Sequence, residues 1–308
     1  RRLTAAVHYD LLWRDVARQA QDDAARLMAD ALRDSAQRQA LNAMRAIGLV
    51  GEREAIFLAL AGLESRDPAR RANALEALEA TRERERLRPF LALWEPADLE
   101  GRPVPLDQHL MDLLESEPDA WIRACAALAA GHSADPAVRA TLARRAEADP
   151  DPLVRATAHS GLGGPMDTLA TLSVMERILF LRRVPLFADL TPTDLQQVAA
   201  LAAEQVFPDG ETLAEQGEAG EEMFIIVSGE VRVLANGAEV ARRGHGDVVG
   251  EMAIISQEPR MAALVAAGEV RVLGLDQASF EGLLRERPDV SLAVMRVLCA
   301  RLRQATAR

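Results

Sequence analysis

Hydrophobic positions recur with two different periods along the chain, and the change between them falls near residue 205. Before that point, apolar residues recur every three to four positions, which is the spacing of amphipathic helices. The first such stretch, residues 4–33, predicts one long helix or two joined helices. From Val206 onward, short β-type runs are separated by glycines. The pattern predicts a helical region followed by a domain of short strands.

The helical region shows internal similarity that is anchored on arginines. Small or apolar residues follow Arg71, Arg123 and Arg155 at positions +3, +6 and +7, and an acidic residue followed by proline precedes each anchor. Proline costs little at a helix start, because its missing N–H would be unpaired there. Arg38 marks a weaker first copy. The pattern resembles HEAT-type repeats, in which helix pairs stack into an α-solenoid. That resemblance implies that the arginines tie neighbouring helices together rather than bind a ligand.

These patterns divide the chain into four predicted regions. Residues 1–34 are predicted as an N-terminal capping helix, and residues 35–165 as a HEAT-like solenoid with a loop at 94–105 that lengthens one repeat. Glycines and a proline at 161–165 end the repeats. Residues 166–182 are predicted as a linker helix, which we place at about 169–182, and residues 183–308 as a second domain. The predicted fold class is therefore multi-domain and mostly α.

Close-set strands predict a small β-barrel or jelly roll within the second domain, which makes it an α+β domain with flanking helices. Helical periodicity returns at 276–287 and 289–303 and predicts two closing helices. The predicted strands are residues 212–214, 223–227, 230–234, 239–241 and 270–273.

Residues 246–263 carry the side chains best suited to a small phosphorylated ligand. Gly246 and Gly250 predict a tight turn, Glu251 supplies a carboxylate, and Arg260 follows nine residues later. Glycines let backbone N–H groups approach a phosphate, and the start of a helix favours negative charge. An arginine can hold phosphate oxygens through two parallel hydrogen bonds. The segment therefore predicts a phosphate pocket.

The same segment closely resembles the phosphate-binding cassette of the cyclic-nucleotide-binding domain family. The match consists of Gly250-Glu251-Met252-Ala253 followed by Pro259-Arg260-Met261-Ala262. Two further stretches are similar to that family, the strand pair at 224–231 and the lead-in at 184–190. The resemblance extends from about Met175 to the C-terminus, and implies the fold and ligand of that family.

The resemblance assigns a role to each position of the cassette. Glu251 would accept a hydrogen bond from the ribose 2′-hydroxyl, and Arg260 would pair with the cyclic phosphate. Backbone N–H groups near Gly250, Met252 and Ala253 would help Arg260. The base would lie against Val248, Val249, Leu264 and a residue from the last helix.

Two positions depart from the family pattern. Met261 stands where the family prefers a small residue, although Ala262 is small. Methionine is flexible, so Met261 either turns outward or crowds the phosphate. Position 263 is alanine rather than a threonine that could meet a guanine amino group, which favours cAMP over cGMP. The alternative interpretation is a degenerate pocket that is retained as a folding unit.

Composition and charge narrow the function classes. The net charge is −11 and the sequence pI is about 5.1, whereas a nucleic-acid surface normally requires a basic face. All 36 basic residues are arginine, which we attribute to coding bias rather than to phosphate chemistry. The five histidines lack metal-ligand spacing, and no nucleophile elbow, P-loop or dinucleotide motif occurs. We therefore expect no enzyme activity, no cofactor and no nucleic-acid partner.

The cellular location of the protein is predicted from features that the sequence lacks and from the order of its domains. The two cysteines are far apart and no apolar run approaches the roughly 18 residues of a membrane span, so we expect a cytoplasmic location. The order of HEAT repeats and a cyclic-nucleotide domain resembles the tail of certain bacterial transporters related to nucleotide translocases. An Arg1-Arg2 start fits a cut just inside a membrane span. This suggests membrane tethering in a longer protein.

The leading functional hypothesis is a regulatory module that senses a cyclic nucleotide, with cAMP favoured over cGMP. Ligand binding would be relayed through flanking helices to the HEAT repeats, which would contact a protein partner or a transporter domain. The alternative is a scaffold that binds proteins through the repeats and needs no ligand.

Overall fold

The computed structural model describes residues 2–65, 67–94, 103–163, 172–188, 190–286 and 288–306. The chain divides into two compact units, Arg1–Pro165 and Met166–Arg308. The first is helical throughout its described residues, and the second combines helices with an antiparallel sheet. This confirms the predicted fold class, a helical repeat region followed by an α+β domain. Within the described residues, we find no helix whose length and hydropathy would let it cross a bilayer.

The first unit consists of consecutive helices, with a 3₁₀ turn at Ala92–Trp94. Part of the loop predicted at 94–105, residues 95–102, lies outside the described residues. The helices are α1 (Arg2–Ala17), α2 (Asp23–Gly48), α3 (Arg53–Leu63), α4 (Pro68–Glu79), α5 (Arg84–Leu91), α6 (Leu106–Ser116), α7 (Ala120–Ala130), α8 (Pro136–Ala148) and α9 (Pro152–Gly161).

The N-terminal stretch predicted as one helix or two joined helices forms two, and the second is longer than expected. Asp22 begins α2 by accepting a hydrogen bond from the backbone N–H of Ala25 at 2.8 Å. No glycine or proline interrupts the chain before Gly48, so α2 passes without a break through residue 34, where the predicted capping region ends. Arg38 therefore lies in the middle of a helix, unlike the other anchors.

The helix starts of the repeats follow their proline residues only in part. Helix α4 begins at Pro68 of the Asp67-Pro68 pair, with the Asp67 side chain accepting from the N–H of Ala69. Helices α7 and α9 begin two residues after the acidic-proline pairs at 117–118 and 149–150, because Asp119 and Asp151 act as the N-caps instead. The hydrogen bonds of these N-caps set both starts, and in α9 the cap Asp151 is itself followed by a proline, Pro152, at the first helical position.

Three of the four anchor arginines share one contact, a hydrogen bond to the carbonyl oxygen six residues earlier. Nη1 of Arg71, Arg123 and Arg155 donates to Ser65 at 3.1 Å, Glu117 at 2.8 Å and Asp149 at 2.6 Å respectively. Each carbonyl lies in the turn after the preceding helix, where backbone acceptors lack helical partners. The contacts support the structural role predicted for these arginines.

Arg123 makes a second, longer-range contact. Its Nε and Nη2 atoms donate to the two carboxylate oxygens of Asp149 at 3.0 Å each, and both residues are buried. Asp149 is the C-cap of α8, so the pair ties α7 to the turn between α8 and α9. Burial raises the pKa of the Asp149 carboxyl, but the hydrogen bonds from Arg123 and from the backbone of Asp151 outweigh burial and lower it.

The second unit places helices before and after the strands. Residues 166–171 of the predicted linker helix lie outside the described residues, and α10 begins after Ser173, which forms a capping box with Glu176. The elements are α10 (Val174–Leu181), α11 (Pro192–Leu201), β1 (Ala203–Phe207), β2 (Thr212–Ala214), β3 (Glu222–Ala235), β4 (Ala238–Arg243), β5 (Val248–Val249), α12 (Glu251–Ser256), β6 (Ala263–Asp276), α13 (Gln277–Glu286) and α14 (Pro288–Thr306).

The strands form one antiparallel sheet in the order β1-β6-β3-β4, with β2 paired to β6 and β5 paired to β3. The strands predicted at 223–227 and 230–234 are one continuous strand, β3, with register shifts between them. Gly229 makes this possible, since it adopts φ 83° and any Cβ there would lie 2.3 Å from the carbonyl oxygen of Glu269. The core between the strands includes Phe224, Ile226, Val231 and Val272.

Candidate functional site

A cavity of about 670 Å³ in the second unit collects nearly all the predicted site residues. We call it the main cavity, and we call residues 250–262 the cassette. Nine of the ten predicted site residues line the main cavity: Val249, Gly250, Glu251, Met252, Ala253, Arg260, Met261, Ala262 and Leu264. Strands β3 and β4 and helix α14 complete its wall through residues that include Val233, Val240, Ala241, Arg243, Leu298 and Leu302.

Val248 is the exception, and its prediction as a lining residue of this cavity is corrected. It lines a second cavity of about 380 Å³, together with Val184, Leu186 and Val294. The reason is the alternation of side chains along a strand, which sends consecutive residues to opposite faces. Val248 and Val249 are the two residues of β5, so only one of them can face the main cavity.

The β4 side of the wall is what the sequence patterns missed. The predicted strand at 239–241 stopped two residues short of the observed end of β4 at Arg243. Because residues two positions apart on a strand share a face, extending the predicted strand to Arg243 would have placed Arg243 on the same face as Ala241. The last helix contributes two residues, Leu298 and Leu302, to the wall of the main cavity.

Arg260 is the buried cation of the site. Its residue surface is 7% exposed, its Nη2 donates to the carbonyl oxygen of Glu222 at 2.7 Å, and its Nη1 is buried without a hydrogen-bond partner among the described residues. Its backbone is fixed by hydrogen bonds with Glu218 and Gly217 at 2.8 Å each. Burial lowers the pKa of Arg260, while the nearby charges of Glu218 and Glu222 act in the opposite direction.

Gly250 brings the backbone against this guanidinium. Its φ of 84° lies in the left-handed region, which residues with a Cβ rarely adopt. A Cβ at this position would lie 2.7 Å from Nη1 of Arg260 and 3.1 Å from the carbonyl oxygen of Glu222. Both the turn and the close approach therefore require glycine, and they leave space beside the donor of Arg260.

Glu251 places a buried carboxylate in the same cavity. It is the first residue of α12, it is 3% exposed, and it lines both the main and the second cavity. A carboxylate only accepts hydrogen bonds when ionised, so it suits a ligand hydroxyl. Together, Arg260 and Glu251 offer a donor for an anion and an acceptor for a hydroxyl at one site.

Met261 does not fill the space beside Arg260. Its surface is 61% exposed, so of the two alternatives for this side chain the structure supports the outward one. In the part of the chain that the structure describes, no group of three or more His, Cys, Asp or Glu side chains is placed to hold a metal ion.

Comparison with known families supports both parts of the architecture. Residues 204–287 match the cyclic nucleotide-binding domain, and residues 108–179 match HEAT repeats. The chain thus contains a HEAT repeat region and a cyclic nucleotide-binding domain, as the sequence resemblance predicted. The HEAT match begins after Arg38 and Arg71, so the two N-terminal repeat copies lie outside it.

Several curated proteins are similar to part of the chain. A cAMP-dependent protein kinase regulatory subunit of Colletotrichum orbiculare is 36% identical over 107 residues, which are 34% of this chain and 27% of the relative. A CRP-like cAMP-activated global transcriptional regulator of Mycobacterium tuberculosis is 30% identical over 129 residues, 40% of this chain and 58% of the relative. The chain therefore covers less than two thirds of either relative, and both names describe regulatory proteins.

Solved structures align over a similar share of the chain. The catabolite activator protein of Thermus thermophilus is 28% identical, with a TM-score of 0.37, over 40% of this chain and 60% of the other. The regulatory domain of Toxoplasma gondii PKA, solved with cAMP, is 27% identical, with a TM-score of 0.37, over 40% and 49%.

Proposed function

We propose that the second unit binds a cyclic nucleotide in the main cavity and acts as a regulatory module. One observation carries this proposal. Arg260 is buried, its Nη1 has no hydrogen-bond partner among the described residues, and that atom faces the glycine turn that opens the cassette. A buried donor that lacks an acceptor costs about 1–3 kcal/mol. A phosphate oxygen would supply the acceptor.

The other lining residues suit the rest of such a ligand. Backbone N–H groups near Gly250, Met252 and Ala253 would help Arg260 hold the phosphate, and Glu251 would accept a hydrogen bond from the ribose 2′-hydroxyl. The apolar wall, which includes Val249, Leu264 and Leu298, would cover the base. The alanine at position 263 and the names of the relatives favour cAMP over cGMP.

The regulatory part of the proposal concerns helix α14. Because Leu298 and Leu302 contribute to the cavity wall, a bound nucleotide would contact this helix directly. A ligand shifts a conformational equilibrium only by its differential affinity for the two states. We therefore infer that the ligand favours one placement of α14, and that flanking helices relay this change to the HEAT repeats.

The partner of the HEAT repeats is proposed to be a membrane transporter domain on the cytoplasmic side. This proposal is supported only by the order of the two domains, which resembles transporter tails. Sequencing the complete open reading frame tests it. Apolar spans upstream of the present sequence are expected, and their absence would contradict the transporter proposal.

Isothermal titration calorimetry with cAMP and cGMP tests the proposed ligand. We expect wild-type protein to bind, and Arg260→Ala to weaken binding roughly 10- to 150-fold, because an ion-paired hydrogen bond contributes about 1.5–3 kcal/mol. Circular dichroism of the ligand-free variant controls for folding. The absence of any heat with either nucleotide would contradict the proposal.

A second function, a ligand-independent scaffold, is favoured by the HEAT repeat match alone. In that case the main cavity would be a folding unit, and proteins would bind to the repeats. No heat with either nucleotide from wild-type protein, and none from a Met261→Ala variant, would favour the scaffold.

A further inference from the structure

Arg243 is a second arginine of the main cavity, and the cassette does not account for it. It is the last residue of β4, it is half-buried, and it lines the cavity beside Val240 and Ala241. Its Nη1 donates to the carbonyl oxygen of Arg242 at 2.9 Å. Within the described residues, it has no carboxylate within ion-pair distance. Its other N–H groups are therefore available to a ligand.

The sheet places Arg243 away from the proposed phosphate position. Arg260 is held at the start of β3 through the carbonyl oxygen of Glu222, whereas Arg243 pairs with Val231 in the second half of that strand. Val233 and Val240, which line the same wall, have aliphatic side chains that carry no hydrogen-bond donor or acceptor. Arg243 is thus the hydrogen-bonding side chain on the β4 wall, where a base extending from the phosphate would lie.

The two purine bases offer different partners to a guanidinium. Guanine presents two adjacent acceptors, O6 and N7, which match the two parallel donors of arginine. Adenine presents N7 beside an amino group, which is itself a donor. An arginine at this wall therefore contributes more to a 6-oxo purine than to adenine.

We propose that Arg243 recognises the O6/N7 edge of a 6-oxo purine and lets the main cavity accept cGMP as well as cAMP. This inference rests on the proposed function and adds a base-recognising residue to it. If Arg243 contacts guanine, the preference for cAMP over cGMP should be smaller than the absence of a threonine at position 263 alone would produce.

The test compares three ligands on matched variants by isothermal titration calorimetry. The ligands are cAMP, cGMP and inosine 3′,5′-cyclic monophosphate, which keeps O6 and N7 but lacks the 2-amino group. Arg243→Met removes the donors, and Arg243→Lys keeps the positive charge but not the two parallel N–H donors of the guanidinium. Arg242→Met is the control, because Arg242 is the neighbouring arginine of β4, is exposed, and pairs with Glu239 and Glu230 instead of lining the cavity.

In Arg243→Met we expect affinity for cGMP and for the inosine nucleotide to fall roughly 5- to 150-fold, the range of a bidentate arginine–guanine contact. Affinity for cAMP should change by less than about twofold. Arg243→Lys should resemble Arg243→Met, and Arg242→Met should resemble wild type.

The outcomes separate this inference from the proposed function. If wild-type protein binds none of the three nucleotides, both are overturned. If cAMP binds but Arg243→Met leaves the ratio of cGMP to cAMP affinity unchanged, only the role of Arg243 is overturned. An equal loss for all three ligands that Arg243→Lys restores would also overturn it, since charge alone would then explain the effect.

Discussion

Two arginines of this protein are equally buried and have opposite surroundings. Arg123 in the helical unit and Arg260 in the second unit are each 7% exposed. Arg123 donates from Nε and Nη2 to both oxygens of Asp149, and from Nη1 to two backbone carbonyls. Arg260 donates from Nη2 to one carbonyl, and its Nη1 lacks a partner among the described residues.

The pKa values of the two side chains change in opposite directions for this reason. The hydrogen bonds to Asp149 raise the pKa of Arg123 despite its burial. Burial lowers the pKa of Arg260, and the charges of Glu218 and Glu222 do not offset it. The comparison indicates that hydrogen bonds within the repeats complete the surroundings of Arg123, whereas one donor of Arg260 has no acceptor among the described residues.

The largest expected effect is on the stability of the helical unit. Arg123→Ala leaves the Asp149 carboxylate buried without its main partner, which typically costs 3–5 kcal/mol in the free energy of unfolding. Chemical denaturation measures this loss. Arg155→Ala is the matched control, because among the described residues Arg155 donates only to backbone carbonyls, and its loss should cost about 1 kcal/mol. Equal losses from the two variants would contradict the comparison.

Arg260→Ala should show the reverse pattern. Its free energy of unfolding should change by less than about 1 kcal/mol, because the lost hydrogen bond is offset by removing a buried donor that has no partner. Its nucleotide affinity should fall by about 1.5–3 kcal/mol, measured by calorimetry. A variant that is strongly destabilised without ligand would show that Arg260 is structural like Arg123.

Gly250→Ala tests the close approach of the backbone to Arg260. The left-handed conformation costs a residue with a Cβ roughly 1–2 kcal/mol, and the new methyl group would displace Nη1 of Arg260. We expect a loss of that size in unfolding free energy together with weaker nucleotide binding, both measured on one preparation. Gly210→Ala, where φ is 78° but no atom lies within 4 Å of the added Cβ, separates strain from contact. Equal binding by the two variants would contradict the contact.

The pH dependence of stability should differ between the wild type and Arg123→Ala. Because the pKa of Asp149 is lowered in the folded protein, its contribution is present above the ordinary aspartate pKa of about 3.9 and is lost as pH falls through the folded value. Denaturation curves between about pH 6 and pH 3 should show this loss in the wild type, where it begins near pH 4. Parallel curves for the two proteins would contradict the assignment.

The smallest effect is expected at Met261. Since its side chain is 61% exposed, Met261→Ala should change nucleotide affinity by less than about threefold, because an exposed side chain contributes little to burial on binding. Calorimetry measures the change. A large gain in affinity would show that Met261 crowds the phosphate after all.

The site was easier to predict from sequence than the repeats. The cassette is a continuous motif, so Gly250, Glu251 and Arg260 could be located without a fold. The sequence could not show which of Val248 and Val249 faces the main cavity. Strand β5 has only two residues, and its pairing with β3 decides which side each of them faces. Arg243 was missed because the end of β4 is set by its register with β3 rather than by local residue type.

The helical unit shows the opposite limit. The arginine spacing indicated a repeated role, but it did not show that Asp149 would supply the partner of Arg123, which lies 26 residues away. The mid-helix position of Arg38 was also not predicted, because it depends on α2 continuing without a break past residue 34. Contacts between distant segments decide these features, and periodicity carries no information about them.

Thermal melting with and without cAMP tests the central claim, that the Arg260 donor is completed by a phosphate. A ligand that binds only the folded state at 100 times its Kd stabilises that state by about 2.7 kcal/mol. We expect cAMP to raise the melting temperature of the second unit in wild-type protein but not in Arg260→Ala. Without ligand, the two proteins should have equal melting temperatures. Equal responses of the two proteins to cAMP, or no response from either, would contradict the claim.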